Sequence, residues 1–300
     1  MSKYHVPVML KECVDALAIK ADGKYVDVTF GGGGHSREIL KNLGEKGRLL
    51  AFDQDADAQE NIPDDERFLF VDSNFRYLKN QCRLMKMIPV DGILADLGIS
   101  SHQIDGPERG FSTRFDAQLD MRMDRSAPVT AAQILNEYSE EDLHRIFGFY
   151  GEVKNARTLA RTIVTARLNK AIETVEEFKA VIRNLMPKGK ENKYMAQVFQ
   201  ALRIEVNQEL EALQEFLEQS AEVLADGGRL VVISYHSLED RLVKNFMATG
   251  KFRGDVEKDF FGNDIKPFDV LTRKAVTASD EELATNNRAR SAKLRIAVKR

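Results

Sequence analysis

The stretch Lys24–Ser36, KYVDVTFGGGGHS, constrains the fold more than any other part of the chain. Tyr25, Val26, Val28 and Phe30 make a short apolar run with the character of a buried strand. Four glycines follow, then His35 and Ser36, and from Arg37 to Leu43 the apolar residues have helical spacing. A strand that breaks into a glycine turn and re-emerges as a helix gathers unpaired N–H groups at the positive end of a helix dipole. Glycine also lets backbone approach a ligand closely. The reading is a nucleotide-binding turn on a sheet edge.

The nucleotide follows less directly. The dinucleotide fingerprint needs glycine in the pattern G-x-G-x-x-G. Counted from Gly31 the third position is Ser36, and counted from Gly32 it is Arg37, so the fingerprint fails in both registers. Asp27, four residues before the first glycine, suits a ligand with a cationic amino group, such as S-adenosylmethionine. Arg48–Asp53, RLLAFD, is a second strand ending in an acid 22 residues after Gly31. An acid there commonly accepts from a ribose. It serves adenosylmethionine and NAD equally.

With 300 residues, 43% of them hydrophobic, the chain can bury a real core. Its net charge of −3 excludes an all-basic nucleic-acid coat, so polyanion contacts must come from local patches. Cys13 and Cys82 form no metal-binding or disulfide pattern and fit a reducing compartment. No metal is expected. No segment has signal-peptide or membrane-spanning character, which predicts a cytoplasmic protein without membrane contact.

Further strands are expected at Arg67–Val71, Val90–Asp96, Arg229–Ser234, Phe268–Thr272 and Leu294–Val298, with helices at Met9–Leu17, Phe75–Met87, Gln208–Leu224 and Leu238–Ala248. Strands alternating with helices predict a doubly wound α/β sheet whose ligands lie beyond the carboxyl ends of the strands. The glycine loop, Asp53 and Asp96 all fall at that edge. Asp226-Gly227-Gly228 reads as a helix stop. Residues 106–125 read as a long ordered loop. Five helices follow, Ala131–Glu137, Glu140–Phe149, Lys154–Asn169, Val175–Met186 and Met195–Leu202, and they break the strand–helix alternation. The expected division is a Rossmann-like domain of residues 1–105 and 203–300 with an all-helical insertion at 106–202. Thr174/Glu177 and Ser279/Glu282 have capping-box spacing.

Two strand ends carry candidate chemistry. Asp96-Leu-Gly-Ile-Ser100-Ser101 offers acceptors that can grip the hydrogens of an exocyclic base amine and aim its lone pair at a methyl donor. Ser234-Tyr235-His236 ends the next strand. Tyr235 could stack on a base and His236 hydrogen-bond to it, with Ser237 capping the helix that follows and Asp240 completing a box. Lys154, Arg157 and Arg161 share one helix face, and the tail carries Arg288, Arg290, Lys293, Arg295, Lys299 and Arg300 without an acid. Both patches suit RNA phosphates.

These motifs resemble one family, the bacterial small-subunit ribosomal RNA cytosine-N4 methyltransferases, methyltransferase H or MraW. The matching stretches are His5–Val8, Asp27–Ser36, Asp53, Asp96–Ser101, Glu108–Ser112, Leu119–Asp124, Phe199–Ile204, His236–Arg241 and Arg288–Arg295, in family order from end to end. The resemblance implies a class I methyltransferase sheet, S-adenosylmethionine as donor, and N4 of a cytidine in the decoding region of 16S ribosomal RNA, in the small subunit, as target. It implies donor contacts from Gly33, Gly34, His35, Asp53, Phe75, Asp96 and Gln103. The catalytic candidates are Asp96, Ser100, Ser101, Tyr235 and His236. Tyr235 stands where the family often has Phe, and Asn287 where Pro often precedes the RARS stretch. A nicotinamide oxidoreductase and a non-catalytic RNA-binding module are the alternatives; the sequence leaves oligomeric state open.

Overall fold

A computed structural model describes residues 7–300, apart from the side chains of Ser101 and His102. His5 and Val6 of the first matching stretch lie outside the described residues. The chain divides into two compact units, one made of the described residues to Gly98 with Leu210–Arg300, the other of Ile99–Glu209. The boundaries expected at 105/106 and 202/203 both fall inside the second unit.

The first unit begins α1 (Leu10–Leu17), β1 (Lys24–Asp27), α2 (Gly34–Asn42), β2 (Arg48–Asp53), β3 (Phe68–Asp72), α3 (Leu78–Leu84) and β4 (Val90–Asp96). The second unit holds α4 (Ser101–Asp105), α5 (Ala131–Glu137), α6 (Glu140–Phe149), α7 (Ala156–Arg167), α8 (Val175–Ile182) and α9 (Glu191–Asn207). The chain then passes through α10 (Glu209–Val223) to β5 (Leu224–Ser234), α11 (Ser237–Thr249), a small hairpin β6 (Glu257–Lys258) and β7 (Asp264–Ile265), β8 (Phe268–Val270), α12 (Asp280–Thr285) and β9 (Lys293–Lys299). The seven-stranded sheet runs β3-β2-β1-β4-β5-β9-β8. Its first five strands are parallel, and β9 is antiparallel to both its neighbours.

Strand alternation builds two cores, one on each face of the sheet. Val26, Leu50, Phe52, Ile93, Leu230 and Val232 point to one side, against Leu78 and Cys82 of α3, Phe216 of α10 and Phe246 of α11. Tyr25, Leu49, Ala51, Leu94, Val231 and Ile233 point to the other, against Cys13 and Leu17 of α1 and Ile39 and Leu40 of α2. Each such side chain contributes roughly 1.5–3 kcal/mol by burial. The order reverses at β1 and β4, where connections leave to opposite sides, so the crevice at their carboxyl ends is the expected ligand position.

The helix before β5 does not stop at Asp226-Gly227-Gly228. α10 ends at Val223, and the tripeptide lies within β5 as a bulge, where the register against β4 jumps from Val90↔Leu224 to Gly92↔Arg229. Gly227 has φ of 77°, which a bulge tolerates at glycine. The helix expected at Phe75–Met87 opens as a 3₁₀ turn, Phe75–Tyr77, before α3. The late strand Phe268–Thr272 closes earlier, at Val270.

In the second unit the helices bury Leu143, Ile146 and Phe147 of α6, Leu159 and Ile163 of α7, Phe178 of α8 and Val198 and Phe199 of α9. Thr174 and Glu177 form the full capping box at the start of α8. The loop at 106–125 has no helix or named strand, yet it is pinned. Arg109 is buried and donates to the carbonyls of Arg122 and Met123, while Asn207 accepts from Met123 N at 2.7 Å and donates to Met121 O at 2.8 Å. No helix among the described residues is long and apolar enough to cross a membrane.

Candidate active site

The glycine loop continues β1 past its last ladder residue. Val28 N donates to Leu94 O and Phe30 N to Phe52 O, both at 2.9 Å, so the strand stays clamped between its neighbours until the turn. Gly33 caps α2 with φ of 73°, and a Cβ there would meet the Phe30 ring at 2.9 Å. A Cβ on Gly34 would lie 2.1 Å from Pro7 Cγ. Both glycines are therefore required by packing and conformation, apart from any ligand. Asn61 Nδ2 donates to Gly31 O at 3.0 Å, and Arg37 donates to Gly32 O at 2.7 Å and to Asn61 O at 2.9 Å. Neither Arg37 nor Asn61 was expected from sequence; the contacts of Asn61 cross 24 and 30 residues.

Asp27, Asp53 and Asp96 are the acids at these strand ends. Asp27 is fully buried, accepting from Ser36 Oγ at 2.7 Å and Thr29 N at 3.1 Å; burial raises its pKa. It thus ties the strand to the start of α2. Asp53, at the end of β2, accepts from Gly31 N at 2.7 Å and Asp55 N at 2.9 Å. Burial pushes its pKa up to about 6, against the lowering effect of those two N–H groups. A carboxylate has about four lone-pair sites, so Asp53 can still accept from ligand hydroxyls. Phe75 follows β3, half-buried, its ring edge-on to Phe216 with centroids 5.5 Å apart.

Asp96 is the most connected group. Its N–H donates to Thr29 Oγ1 at 2.7 Å, its Oδ1 accepts from the Tyr235 hydroxyl at 2.7 Å, and its Oδ2 lies 3.9 Å from His35 Nδ1. The Asp96 side chain keeps 23% exposure. Burial raises its pKa, and His35 and the tyrosine hydroxyl oppose that shift. His35 is itself buried, with Nε2 3.1 Å from Val8 O. A carbonyl can only accept, so Nε2 carries a proton, and Nδ1 is the ring atom turned to Asp96. The Tyr235 hydroxyl is held in its neutral form, its pKa driven upward by burial and by Asp96.

His236 takes a different place from the one expected. It, not Ser237, is the N-cap of α11: its Nδ1 faces Glu239 N at 3.5 Å, and Glu239 Oε2 accepts from His236 N at 3.3 Å and Tyr235 N at 2.9 Å. Glu239, not Asp240, completes the box. It is 3% exposed, and the sequence reading missed it by counting from Ser237. Asp240 instead binds Arg295 at 2.7 Å and Lys293 at 3.2 Å. Arg300 binds Asp269 at 2.9 Å. At least three of the six tail cations therefore have acid partners from elsewhere in the fold, which weakens the tail as a phosphate surface.

The first unit thus brings Gly33, Gly34, His35, Asp53, Phe75, Asp96, Tyr235 and His236 to one sheet edge. Ser100 and Gln103 belong to the second unit, where they cap α4 reciprocally: Ser100 N donates to Gln103 Oε1 at 3.0 Å and Gln103 N to Ser100 Oγ at 3.2 Å. The Ser101 side chain lies outside the described residues. Chemically, the edge offers a glycine turn with a free helix start, a nucleoside-type acid at Asp53, and a carboxylate at Asp96 aligned by three neighbours.

Comparison with known proteins decides the family. The model of the MraW methylase family matches residues 2–300. The chain belongs to this family. It is 62% identical to ribosomal RNA small subunit methyltransferase H of Cytophaga hutchinsonii over 296 residues, 98% of this chain and 99% of that one. It is 58% identical to the protein of the same name from Flavobacterium johnsoniae, across 99% of this chain and 98% of that one. For the Bacteroides fragilis protein, also of that name, the identity is 59% with the same coverage. Family and sheet agree: this is the class I methyltransferase fold, an α/β sheet with its final strand antiparallel.

Proposed function

We propose that the protein transfers a methyl group from S-adenosylmethionine to N4 of a cytidine in the decoding region of small-subunit (16S) ribosomal RNA, in the cytoplasm. Whole-chain membership of a methylase family and relatives named for small-subunit ribosomal RNA support the reaction class. The family resemblance supports the N4 atom and the decoding-region position. The nicotinamide and non-catalytic alternatives have no feature in their favour here.

The observation that carries the site is the Asp96–Tyr235 pair beside His35. When bound, the donor supplies a methyl carbon on a sulfonium centre. Gly33 and Gly34 let the ligand approach backbone, Asp53 accepts its ribose hydroxyls, Phe75 packs on its adenine, and Gln103 makes a polar contact near the methionine part. Asp96 has one oxygen fixed by Tyr235. Its other oxygen accepts an N–H of the cytosine amine, draws that nitrogen towards tetrahedral geometry and turns its lone pair to the methyl group. As N4 gains the carbon, the carbon's bond to sulfur breaks and the donor would leave as a neutral thioether; positive charge grows on the base, and the carboxylate stabilises it. The surplus N4 proton then leaves to the carboxylate or solvent. His236 and Tyr235 hold the strand end from which the pair projects. The target base must be unstacked to reach the donor.

The test is transfer of labelled methyl to small ribosomal subunits lacking the modification, followed by nucleoside analysis. N4-methylcytidine is the expected product. Transfer to a different atom would overturn the assignment of N4. No transfer to subunits or to naked ribosomal RNA, with the donor bound, would overturn the substrate class.

A further inference from the structure

Residues 153–193 of the second unit contain ten Lys and Arg against four Glu, a net of +6 on a chain whose total is −3. The structure shows how these charges are used. Lys170 pairs with Glu177 at 2.6 Å and Lys179 with Glu176 at 2.5 Å, while Arg167 donates to Leu135 O. Glu191 turns its carboxylate to the Gly189 N–H. Seven cations remain, all exposed and none in an ion pair among the described residues. Lys154, Arg157 and Arg161 lie at the start and along the outer face of α7, Arg183, Lys188 and Lys190 lie between α8 and α9, and Lys193 lies in the first turn of α9.

The two groups are neighbours in space. Asn155, at the start of α7, donates to Leu185 O at 3.3 Å, so the 183–193 segment is laid against the N-terminal end of α7. The buried residues Leu159, Ala160 and Ile163 turn the opposite face of α7 inward, fixing Arg157 and Arg161 outward. Next to them Arg161, Thr162, Thr165 and Asn169 line a shallow depression. Other cations of the fold have acid partners, as Arg67 has Asp65, Arg203 has Glu209 and Arg295 has Asp240. Here the fold leaves seven side by side, which raises the protein's own electrostatic energy unless an external anion compensates.

We propose that this face of α7 and the 183–193 segment docks the phosphate backbone of the ribosomal RNA. The proposal rests on the substrate class argued above and adds the surface that grips it. Phosphate contacts fix register without reading sequence. The surface would therefore hold the RNA in place while the strand-end site acts on one base. A second copy of the chain is disfavoured, since like charges would face each other.

The test compares wild type with the triple variant Lys154→Ala/Arg157→Ala/Arg161→Ala. An equally charge-depleted control, Lys11→Ala/Lys46→Ala/Arg83→Ala, uses exposed cations of the first unit. Binding of a naked small-subunit RNA fragment is measured over a salt series, with methyl transfer and donor affinity in parallel. For the α7 triple, RNA affinity should fall about tenfold or more, and the slope of log K against log salt should flatten by about 2, at roughly 0.7 per lost contact. Donor affinity should hold, and the control should behave as wild type. Unchanged RNA affinity and slope would overturn the proposal, as would an equal loss in the control. Loss of subunit binding with naked-RNA binding intact would hand the surface to a ribosomal protein and also overturn it. Absence of methyl transfer by wild type would instead count against the proposed reaction, because RNA binding is read independently of it.

Discussion

The strand-end site of the first unit and the outer face of α7 in the second treat charge in opposite ways. At the strand ends every acid is held: Asp27 by Ser36 and Thr29, Asp53 by two backbone N–H groups, Asp96 by Tyr235 and its own anchored backbone. On α7 the cations project free. Chemistry on one atom needs groups fixed before the substrate arrives, because reorganisation during reaction would consume the stabilisation they offer. Gripping a polyanion needs only charge at the right surface, and long flexible side chains adapt to it. The contrast separates a reacting site from a docking surface without reference to any ligand.

The largest expected effect comes from breaking the held site. Asp96→Ala should lower methyl transfer by about 10²–10³-fold, by analogy with removal of one preorganised partner of a reacting atom. Donor affinity should change much less, and thermal stability little, because the side chain is part-exposed. Near-wild-type transfer, measured in single turnover, would remove Asp96 from the reaction.

Asp240→Ala would turn held charge into free charge elsewhere. The Asp240–Arg295 pair is nearly enclosed, with side chains 13% and 9% exposed. Removing one partner of such a pair typically costs about 3 kcal/mol. The variant should melt several degrees lower, and its released Lys293 and Arg295 should not raise RNA affinity if α7 is the docking face. Tighter RNA binding by this variant would show that free cations anywhere suffice.

Asp53 sharpens the comparison through pH. Its carboxyl titrates at about 6 in the folded protein, above the unfolded value of 3.8. A raised carboxyl pKa means the folded state holds the proton more strongly. Its contribution to stability is therefore greatest below about 4, falls as pH rises to 6, and is constant above. Donor binding should run the other way. Ribose hydroxyls donate to the ionised form, so affinity should be about tenfold lower at pH 5 than on its plateau above 7. Calorimetric titration across that range checks it; a flat profile would mean that hydroxyls do not engage Asp53. Asp53→Asn should abolish the slope.

What the sequence revealed and what it hid divide along the range of the interactions. The glycine turn, the strands and the capping box at Thr174 are local patterns, and they were legible. Asp53 and Asp96 were legible too, since the ends of parallel strands converge by topology. The partners of Lys293 and Arg295, more than 50 residues distant, left no local trace. Glu282 shows the limit well. Its spacing from Ser279 fits a capping box, and Ser279 does cap α12, but Glu282 reaches instead to Met9 N at 2.8 Å, across 273 residues. A His in the N-cap position was also invisible, because Ser237 beside it is the commoner cap residue.

Tyr235 makes the smallest and most discriminating test. Phe at this position keeps the ring but loses the hydroxyl that fixes Asp96 Oδ1. If the held geometry of Asp96 matters, Tyr235→Phe should slow transfer by about three- to tenfold, the equivalent of one hydrogen bond to a charged group partly replaced by water. The loss should appear in kcat and leave donor affinity and RNA affinity alone. It should also be smaller than that of Asp96→Ala, and nearly absent on top of it, because a hydroxyl that acts through the carboxylate has nothing to align once the carboxylate is gone. Full additivity in the double variant would mean that Tyr235 meets the base directly, as a stacking surface, and that His35 and the anchored backbone suffice to aim Asp96.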